Sequence, residues 1–471
     1  SPFPHKHSTL RLHHFPSFSI RMLKYALVVA LIALCVSENS VFAVSLRHVG
    51  DIRTEGGAGF EAIELEGKPY IASANFWNGV DGKMTAESSL HSIEQGQNGN
   101  LLFPTLQRFT SQGGHGADYF REPLMDLTVP RIGNVNRDEK SDVRQFVEVL
   151  VIPSYYGCDR GDMKCNATNI YYHWDSNILQ FTSTLSLQSS GPSQTDHFSS
   201  GDSTYLLISE NFVNSLSLYR MSAQATETDD MTLEAEKIQS MAIPGIAACA
   251  TDTIDGVVYI IAASYHDRGW QTTSTVYRWD ENTQTLRTHQ TIPTTGAHDA
   301  DTIEFQDKHF LVFSEDRNRD TVLINSNIYV WNTTTLSYSH MQAVPTDGAH
   351  AGEFFIMNHQ LFLAIASFGD RHNARYDATS SVYRYVGGES VTNTDEHTGK
   401  QQCSLGGEFE LQTTVNTVGA TDWEYFELTR ADERDGDDVP LTRCFLAVSE
   451  EADMKRGVDS PFMSRVYELV I

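Results

Sequence analysis

The feature that most constrains this chain is a repeat. One unit recurs as a glycine turn, an alternating strand, an apolar strand and a strand that begins with serine. Its clearest turn segments run from Gln290 to Asp301, from Gln342 to Glu353 and from Gln412 to Glu424, each with a Gly-Ala pair inside. Apolar strands follow at Phe310 to Glu315, Phe362 to Ser367 and Phe445 to Glu450. Serine-led strands come next, at Ser326 to Trp331, Ser380 to Tyr385 and Ser464 to Leu469. Weaker copies start at Gly56, Gly113, Gly191 and Ala247, which makes seven units. Apolar and polar residues alternate within each unit, with Gly and Asn at the joints, so each reads as a four-stranded antiparallel sheet. One such sheet cannot bury both faces, but seven stacked radially can. The expected fold is all-β, a seven-bladed β-propeller over residues 44–471. Leu46 to Ile52 matches the outermost strand of a unit, and the chain stops after a third strand. The N-terminal strand is therefore predicted to complete the last blade and leave no open edge.

The form Gln-x-Ile-Pro-Thr-x-Gly-Ala with a closing acid resembles the epilepsy-associated repeat, the EAR or EPTP repeat. Propellers of the leucine-rich glioma-inactivated proteins belong to that family. The resemblance covers residues 44–471 and is strongest over 284–386 and 408–467. It implies a secreted recognition propeller that binds a receptor or matrix protein through its channel-mouth face. It also implies a cation in the central channel.

The 471 residues carry 61 acidic and 34 basic side chains, a formal charge of −27. Such a surface repels phosphate and argues against nucleic acid as a partner. A hydrophobic share of 40% with 20% charged residues excludes a disordered chain and a multi-span membrane protein. Part of the acid has an address. With the units aligned on their glycine, and Ala247 standing in unit four, an acid falls five residues on in every unit: Glu61, Asp118, Asp196, Asp252, Asp301, Glu353 and Glu424. Asp299 and Asp422 lie two residues before the slot in units five and seven. This segment is the innermost strand, so the carboxylates are expected around the channel. Like charges that close need protons, backbone amides or a cation. Ca²⁺ or Mg²⁺ suits oxygen donors, and Asp299, Asp301, Glu353, Asp422 and Glu424 form the candidate set. His115, His298 and His350 sit beside them. They are candidate ligands, and His298 and His350 candidate acid/base groups. The plainer alternative is that each acid caps backbone N–H groups of the repeat.

Residues 22–43 read as a signal peptide: Met22 and Lys24, an apolar run from Ala26 to Val36, and Val41-Phe42-Ala43 before the cleavage point. Residues 1–21 precede the first methionine and are set apart as translated upstream sequence. Secretion permits disulfides, and the spacing suggests Cys158 with Cys165 and Cys403 with Cys444. Cys249 remains as a buried thiol. Asn166 and Asn332 head Asn-x-Thr acceptor triplets for glycosylation. Arg160-Gly161-Asp162 lies between Cys158 and Cys165. A disulfide-constrained Arg-Gly-Asp loop is a candidate integrin contact, since the closed loop has less entropy to lose on binding. Asn134, Asn136, Asp138 and Asp142 alternate like a Ca²⁺ loop, although Glu139 stands where the turn glycine belongs.

The chain contains no nucleophile elbow, His-Glu-x-x-His, phosphate loop or dinucleotide fingerprint. The first reading is a secreted recognition protein for an extracellular partner with a basic or aromatic docking surface. The alternative is a secreted divalent-metal-dependent enzyme, a hydrolase or oxidoreductase, with its site at the channel.

Overall fold

In the computed structural model, the residues described are 44–76, 85–123, 146–156, 167–225, 231–387, 391–394, 401–404, 407–430, 441–451 and 462–470. Residues 45–470 form one compact unit. Its frame is seven four-stranded antiparallel sheets. The inner strands, in blade order, are Gly57–Leu65, Asp118–Pro123, Pro192–Ser200, Ile246–Ile254, Ala297–Phe305, Ala349–Met357 and Ala420–Arg430. Each contacts the inner strand of the next blade, and the seventh contacts the first, so the ring closes. Blade seven consists of Ala420–Arg430, Leu441–Glu450, Phe462–Val470 and the N-terminal Ser45–Thr54. The antiparallel pairing of Ser45 with Val470 through Thr54 with Phe462 is the expected closure. Two short ribbons lie outside the blades: Glu94–Gln95 with Leu101–Leu102, and Val391–Thr394 with Gln401–Ser404.

The second strand of each blade is sandwiched between neighbouring blades, which is why its sequence is a continuous apolar run. Phe310, Leu311, Val312 and Phe313 are all fully buried, and so are Leu361, Phe362 and Leu363. Adjacent blades share one core. Ile261 and Ala263 of blade four pack with Leu311 and Phe313 of blade five. Each such side chain contributes about 2 kcal/mol by leaving water.

The polar positions of the repeat also have structural work. The third-strand serine is buried, and its hydroxyl accepts the N–H that ends the second strand: Ser326 from Glu315 and Ser274 from Ser264, both at 3.1 Å, and Ser380 from Ser367 at 3.0 Å. It fills a gap in the ladder with a hydrogen bond that a buried amide must find. The outer-strand glutamine bonds both backbone groups of one residue in the next blade. The Gln290 amide donates to the Tyr338 carbonyl and accepts from its N–H, both at 2.8 Å. Gln107, Gln239 and Gln342 do the same to Phe181, Leu286 and Phe409.

The turn glycine recurs at Gly56, Gly113, Gly191, Gly245, Gly296, Gly348 and Gly419, with φ of 59–70°. Its carbonyl accepts an N–H at 2.7–3.0 Å in all seven blades, from the residue after the second strand in six and from Tyr155, three residues after it, in blade two. A side chain there would be strained and obstructed. At Gly245 a Cβ would stand 2.5 Å from the His266 carbonyl oxygen. Blade four therefore turns at Gly245, two residues before Ala247, and this corrects the acid alignment. Five residues after Gly245 comes Ala250, which occupies the slot of Asp301 in the register of the first two strands. Asp252 falls instead at a position held by Ile63, Phe120, Phe198, Ile303, Phe355 and Phe426 in the other blades. It is buried between blades four and five, where His309 Nδ1 lies 2.9 Å and the Tyr338 hydroxyl 2.5 Å from its carboxylate.

Cys249 is a buried free thiol, as expected. Cys444 is also buried and free. The expected Cys403–Cys444 disulfide is not formed. Cys444 faces inside its blade, with its sulfur 3.9 Å from Glu427 Oε1. Cys403 belongs to the separate ribbon with Val391–Thr394. The signal segment, Cys158, Arg160, Gly161, Asp162, Cys165, Asn166 and the segment from Asn134 to Asp142 lie outside the described residues. Asn332 ends a blade-five strand, and its side-chain oxygen accepts from Thr334 N at 2.9 Å. Asp280 accepts from Asn282 N in the same way in blade four. The turn itself thus accounts for an Asx residue there.

Candidate functional site

The repeat stacks three layers along the central passage. The outermost is a vestibule of one residue per blade, the residue whose N–H reaches the turn glycine: Phe76, Tyr155, Asn211, Tyr265, Asp316, Phe368 and Glu451. Below it is a neck at the second residue after the glycine: Ala58, His115, Ser193, Ala247, His298, His350 and Thr421. In six blades this residue is the bulge at which the first two strands shift register. The third layer holds the acids. Vestibule and neck enclose about 220 Å³, and the acid layer continues below the same neck as a space of about 180 Å³.

Neck side chains reach sideways to the next blade. His298 Nδ1 lies 3.1 Å from the His350 carbonyl oxygen, and His350 Nδ1 lies 3.0 Å from that of Thr421. The Thr421 hydroxyl donates to the Gly57 carbonyl at 3.0 Å, and that of Ser193 to Ala247. A carbonyl only accepts, so Nδ1 of both imidazoles carries hydrogen and Nε2 is the lone-pair nitrogen. The rings of His298 and His350 stand 3.6 Å apart between centroids, with His115 6.1 and 6.3 Å away. Burial keeps all three neutral, pushing His115 down to about 4 and His298 to about 3, with His350 well below the usual range. Nearby Arg371 adds to this. Imidazoles this weakly basic are poor proton acceptors near neutral pH.

The acids follow the same sideways rule. Asp301 accepts from Phe354 N at 2.7 Å, Asp299 from Gly352 N at 3.1 Å, Asp422 from Phe60 N at 2.9 Å and Glu424 from Ala62 N at 3.1 Å. Each bond runs from one blade to the next, so backbone capping accounts for these four. Gln194 does the same job without charge, accepting from Cys249 N at 3.1 Å. Glu61 and Glu353 have no hydrogen-bond partner among the described residues, and both line the passage. Burial, then the neighbouring carboxylates, push both far above the usual carboxylate range. Burial also raises Asp299 and Asp422 to about 7 and Asp301 to about 8, against the pull of their backbone donors.

Blades two and three differ. His197, a residue the sequence reading missed, places Nδ1 3.0 Å from Asp118 and 4.0 Å from Asp196. Burial opposes its proton, but Asp118 and then Asp196 outweigh that and hold the imidazole up at about 9. Those two acids therefore have a cation. Blade four offers only Ala247, Ala248 and Ala250. The acid ring is in fact a crescent, and its unmatched charge lies on blades five, six, seven and one.

The donors suit a hard cation in type, with Glu61, Asp299, Asp301, Glu353, Asp422 and Glu424 as the groups that would face it. The arrangement does not suit one in geometry. Among the described residues no three His, Cys, Asp or Glu side chains come close enough to share an ion. Asp299, Asp301, Asp422 and Glu424 are already committed to amides.

The vestibule is aromatic and has its own ion pairs. Arg371 stacks on Phe368 with its guanidinium 4.4 Å from the ring centroid, and lies 2.9 Å from Glu451. Arg317 lies 5.0 Å from the Trp270 ring and 3.5 Å from Asp370. The Tyr265 hydroxyl donates to Asp316 at 2.8 Å. This layer escaped the sequence reading because its seven residues share a position and no chemistry. The one signal was that six of the seven directly follow a second strand, with Tyr155 three residues beyond its own.

Comparison with known proteins agrees with the repeat. The EPTP domain model matches residues 285–332. A human and a mouse thrombospondin-type laminin G domain and EAR repeat-containing protein are each 31% identical to this chain, over 116 and 117 residues. The match takes in 24% of this chain and 17% of either relative, so this chain spans a small part of their length. Among solved structures, a candidate 6-phosphogluconolactonase from Bacteroides uniformis is 12% identical, with a TM-score of 0.45, covering 81% of this chain and 97% of that one. Its Bacteroides fragilis counterpart scores 0.43 at 12% identity, covering 80% and 95%. Likeness this low carries no function. The repeat and its closure make this chain a seven-bladed propeller, and these matches show that it carries an EPTP repeat over residues 285–332 and is similar to EAR repeat-containing proteins.

Proposed function

We propose that this protein is a secreted recognition module that binds an extracellular receptor or matrix partner through the vestibule face. The observation that carries this reading is the vestibule itself. Phe76, Tyr155, Tyr265 and Phe368, with Arg371 stacked on the last, stand on a rigid ring around a concave mouth. Aromatic and arginine anchors in a pocket are what protein interfaces use to concentrate binding energy. Relatives that carry EAR repeats support an interaction role, the signal-like residues 22–43 support secretion, and no helix among the described residues is long and apolar enough to cross a membrane. The Cys158–Cys165 loop adds a candidate integrin contact through Arg160, Gly161 and Asp162. The test is binding of the labelled purified chain to intact cells. Phe368→Ala with Tyr155→Ala is expected to reduce binding at least tenfold, as loss of two anchors should. Asp162→Ala is expected to remove only the share that an integrin-blocking peptide competes. Binding that survives both changes contradicts the proposal.

A further inference from the structure

The crescent of blades five, six, seven and one gathers the carboxyl groups of Glu61, Asp299, Asp301, Glu353, Asp422 and Glu424. Among the described residues no Lys or Arg lines the acid layer, so a bound cation would favour their ionised form. A bare divalent ion needs several oxygens at one point, and among the described residues no three His, Cys, Asp or Glu side chains meet at one. An ammonium group needs less. It takes three acceptors, each at ordinary hydrogen-bond length, and tolerates water among them.

The neck above the crescent is built from acceptors. The Ser193 and Thr421 hydroxyls spend their hydrogens on carbonyls. His298 and His350 spend theirs likewise, and their Nε2 atoms have no hydrogen-bond partner among the described residues. His350 is only 8% exposed, yet it lines both the vestibule and the acid space, so its free lone pair belongs to the passage. Ala58 and Ala247, in blades one and four, contribute only methyl groups to the neck. Above it, the aromatic faces of Phe76, Tyr155, Tyr265 and Phe368 suit methylenes and a cation. The vestibule arginines do not reverse the field, because Arg371 is matched by Glu451 and Arg317 by Asp370.

We propose that the passage binds a linear organic ammonium ion, with the ammonium between the His350 Nε2 and the Glu61–Glu353 carboxylates and the alkyl stem in the aromatic vestibule. The same chemistry is offered by a free aliphatic amine and by a lysine side chain of a docked protein. Binding of the free amine does not depend on the docking reading, so the two can fail separately.

The test is calorimetry on the purified full chain with cadaverine, Nα-acetyl-lysine methylamide, uncharged 1,5-pentanediol and CaCl₂. Cadaverine or the lysine amide is expected to bind and pentanediol not to bind. Tighter binding of cadaverine marks a free amine as the ligand, and tighter binding of the lysine amide marks a partner's side chain. Glu61→Gln with Glu353→Gln is expected to weaken the amine at least tenfold, about 1.4 kcal/mol. These near-isosteric changes touch groups that hold nothing else in place. His298→Asn with His350→Asn provides a second lesion that keeps an N–H donor while removing Nε2. Transferred NOEs from the cadaverine methylenes to aromatic protons, lost in Phe368→Leu, locate the stem independently of either lesion. Failure of both amines to bind overturns the proposal. So does amine affinity unchanged in the carboxamide and His→Asn variants, or Ca²⁺ binding that the amines do not compete.

Discussion

Two arcs of one channel solve the same electrostatic problem differently. In blades two and three, Asp118 and Asp196 stand beside His197, which supplies a positive charge. In blades five, six, seven and one, Asp299, Asp301, Asp422 and Glu424 lean on backbone amides of the neighbouring blade, while Glu61 and Glu353 have no hydrogen-bond partner among the described residues. Between the arcs, Ala250 leaves the slot empty. A repeat thus fixes where a side chain points, and each blade decides how its charge is met. An amide dipole stabilises a carboxylate without cancelling its repulsion from the next one. The second arc is therefore held together at some cost, and it is the arc open to a ligand.

The comparison can be broken first at His197. Replacing His197 with Leu leaves two acids without their cation and is expected to cost about 2 kcal/mol, less than a fully buried pair because the imidazole is partly exposed. Urea unfolding at pH 7 measures it, and an unchanged midpoint would mean the arcs do not differ. Next is the gap: Ala250→Asp adds a seventh carboxylate and is expected to destabilise by roughly 1–2 kcal/mol at pH 8 and much less at pH 5. If the loss is the same at both pH values, crowding rather than charge is responsible.

The third is pH itself. The crescent acids bind protons more tightly folded than unfolded, with Asp299 and Asp422 near 7 and Asp301 near 8. Wherever the folded state holds more protons, stability falls as pH rises. The buried imidazoles oppose this below pH 6.5, since His115 and His298 titrate near 4 and 3 when folded. Above it the acids act together with His197, whose proton is also held more tightly in the folded state, so the melting temperature is expected to fall from pH 6.5 to 8. The smallest effect is the reverse lesion. Glu61→Gln with Glu353→Gln removes repulsion and no hydrogen bond, and should stabilise by about 0.5–1 kcal/mol at pH 8, read from the same urea midpoint.

The sequence carried most of this architecture because seven near-copies report one geometry. Closure by Ser45–Thr54, the turn glycines and six of the seven slot acids were all legible. Asp252 was misplaced because Ala247 resembles the small residue of other turns, while the true turn residue, Gly245, is followed by Ile246. The pattern held a warning: the Asp252 position is Ile or Phe in every other blade. His197 was not legible as a cation, since its partner Asp118 is 79 residues away across a blade boundary. The vestibule was invisible to residue type altogether. The Cys403–Cys444 expectation failed because closeness along a unit is not closeness between a ribbon and the interior of a blade. Sequence spacing reports the repeat, and contacts between blades appear only once the ring is closed.

The most direct measurement follows the carboxyl ¹³C shifts of Asp301 and Glu353 against pH in the purified chain. The account predicts that Asp301 titrates near pH 8 and that Glu353 also titrates far above the ordinary carboxylate range. Addition of a bound cation should move both downward. Titration of both near pH 4, unchanged by any cation, would show that the crescent carries no unmatched charge and would contradict the account.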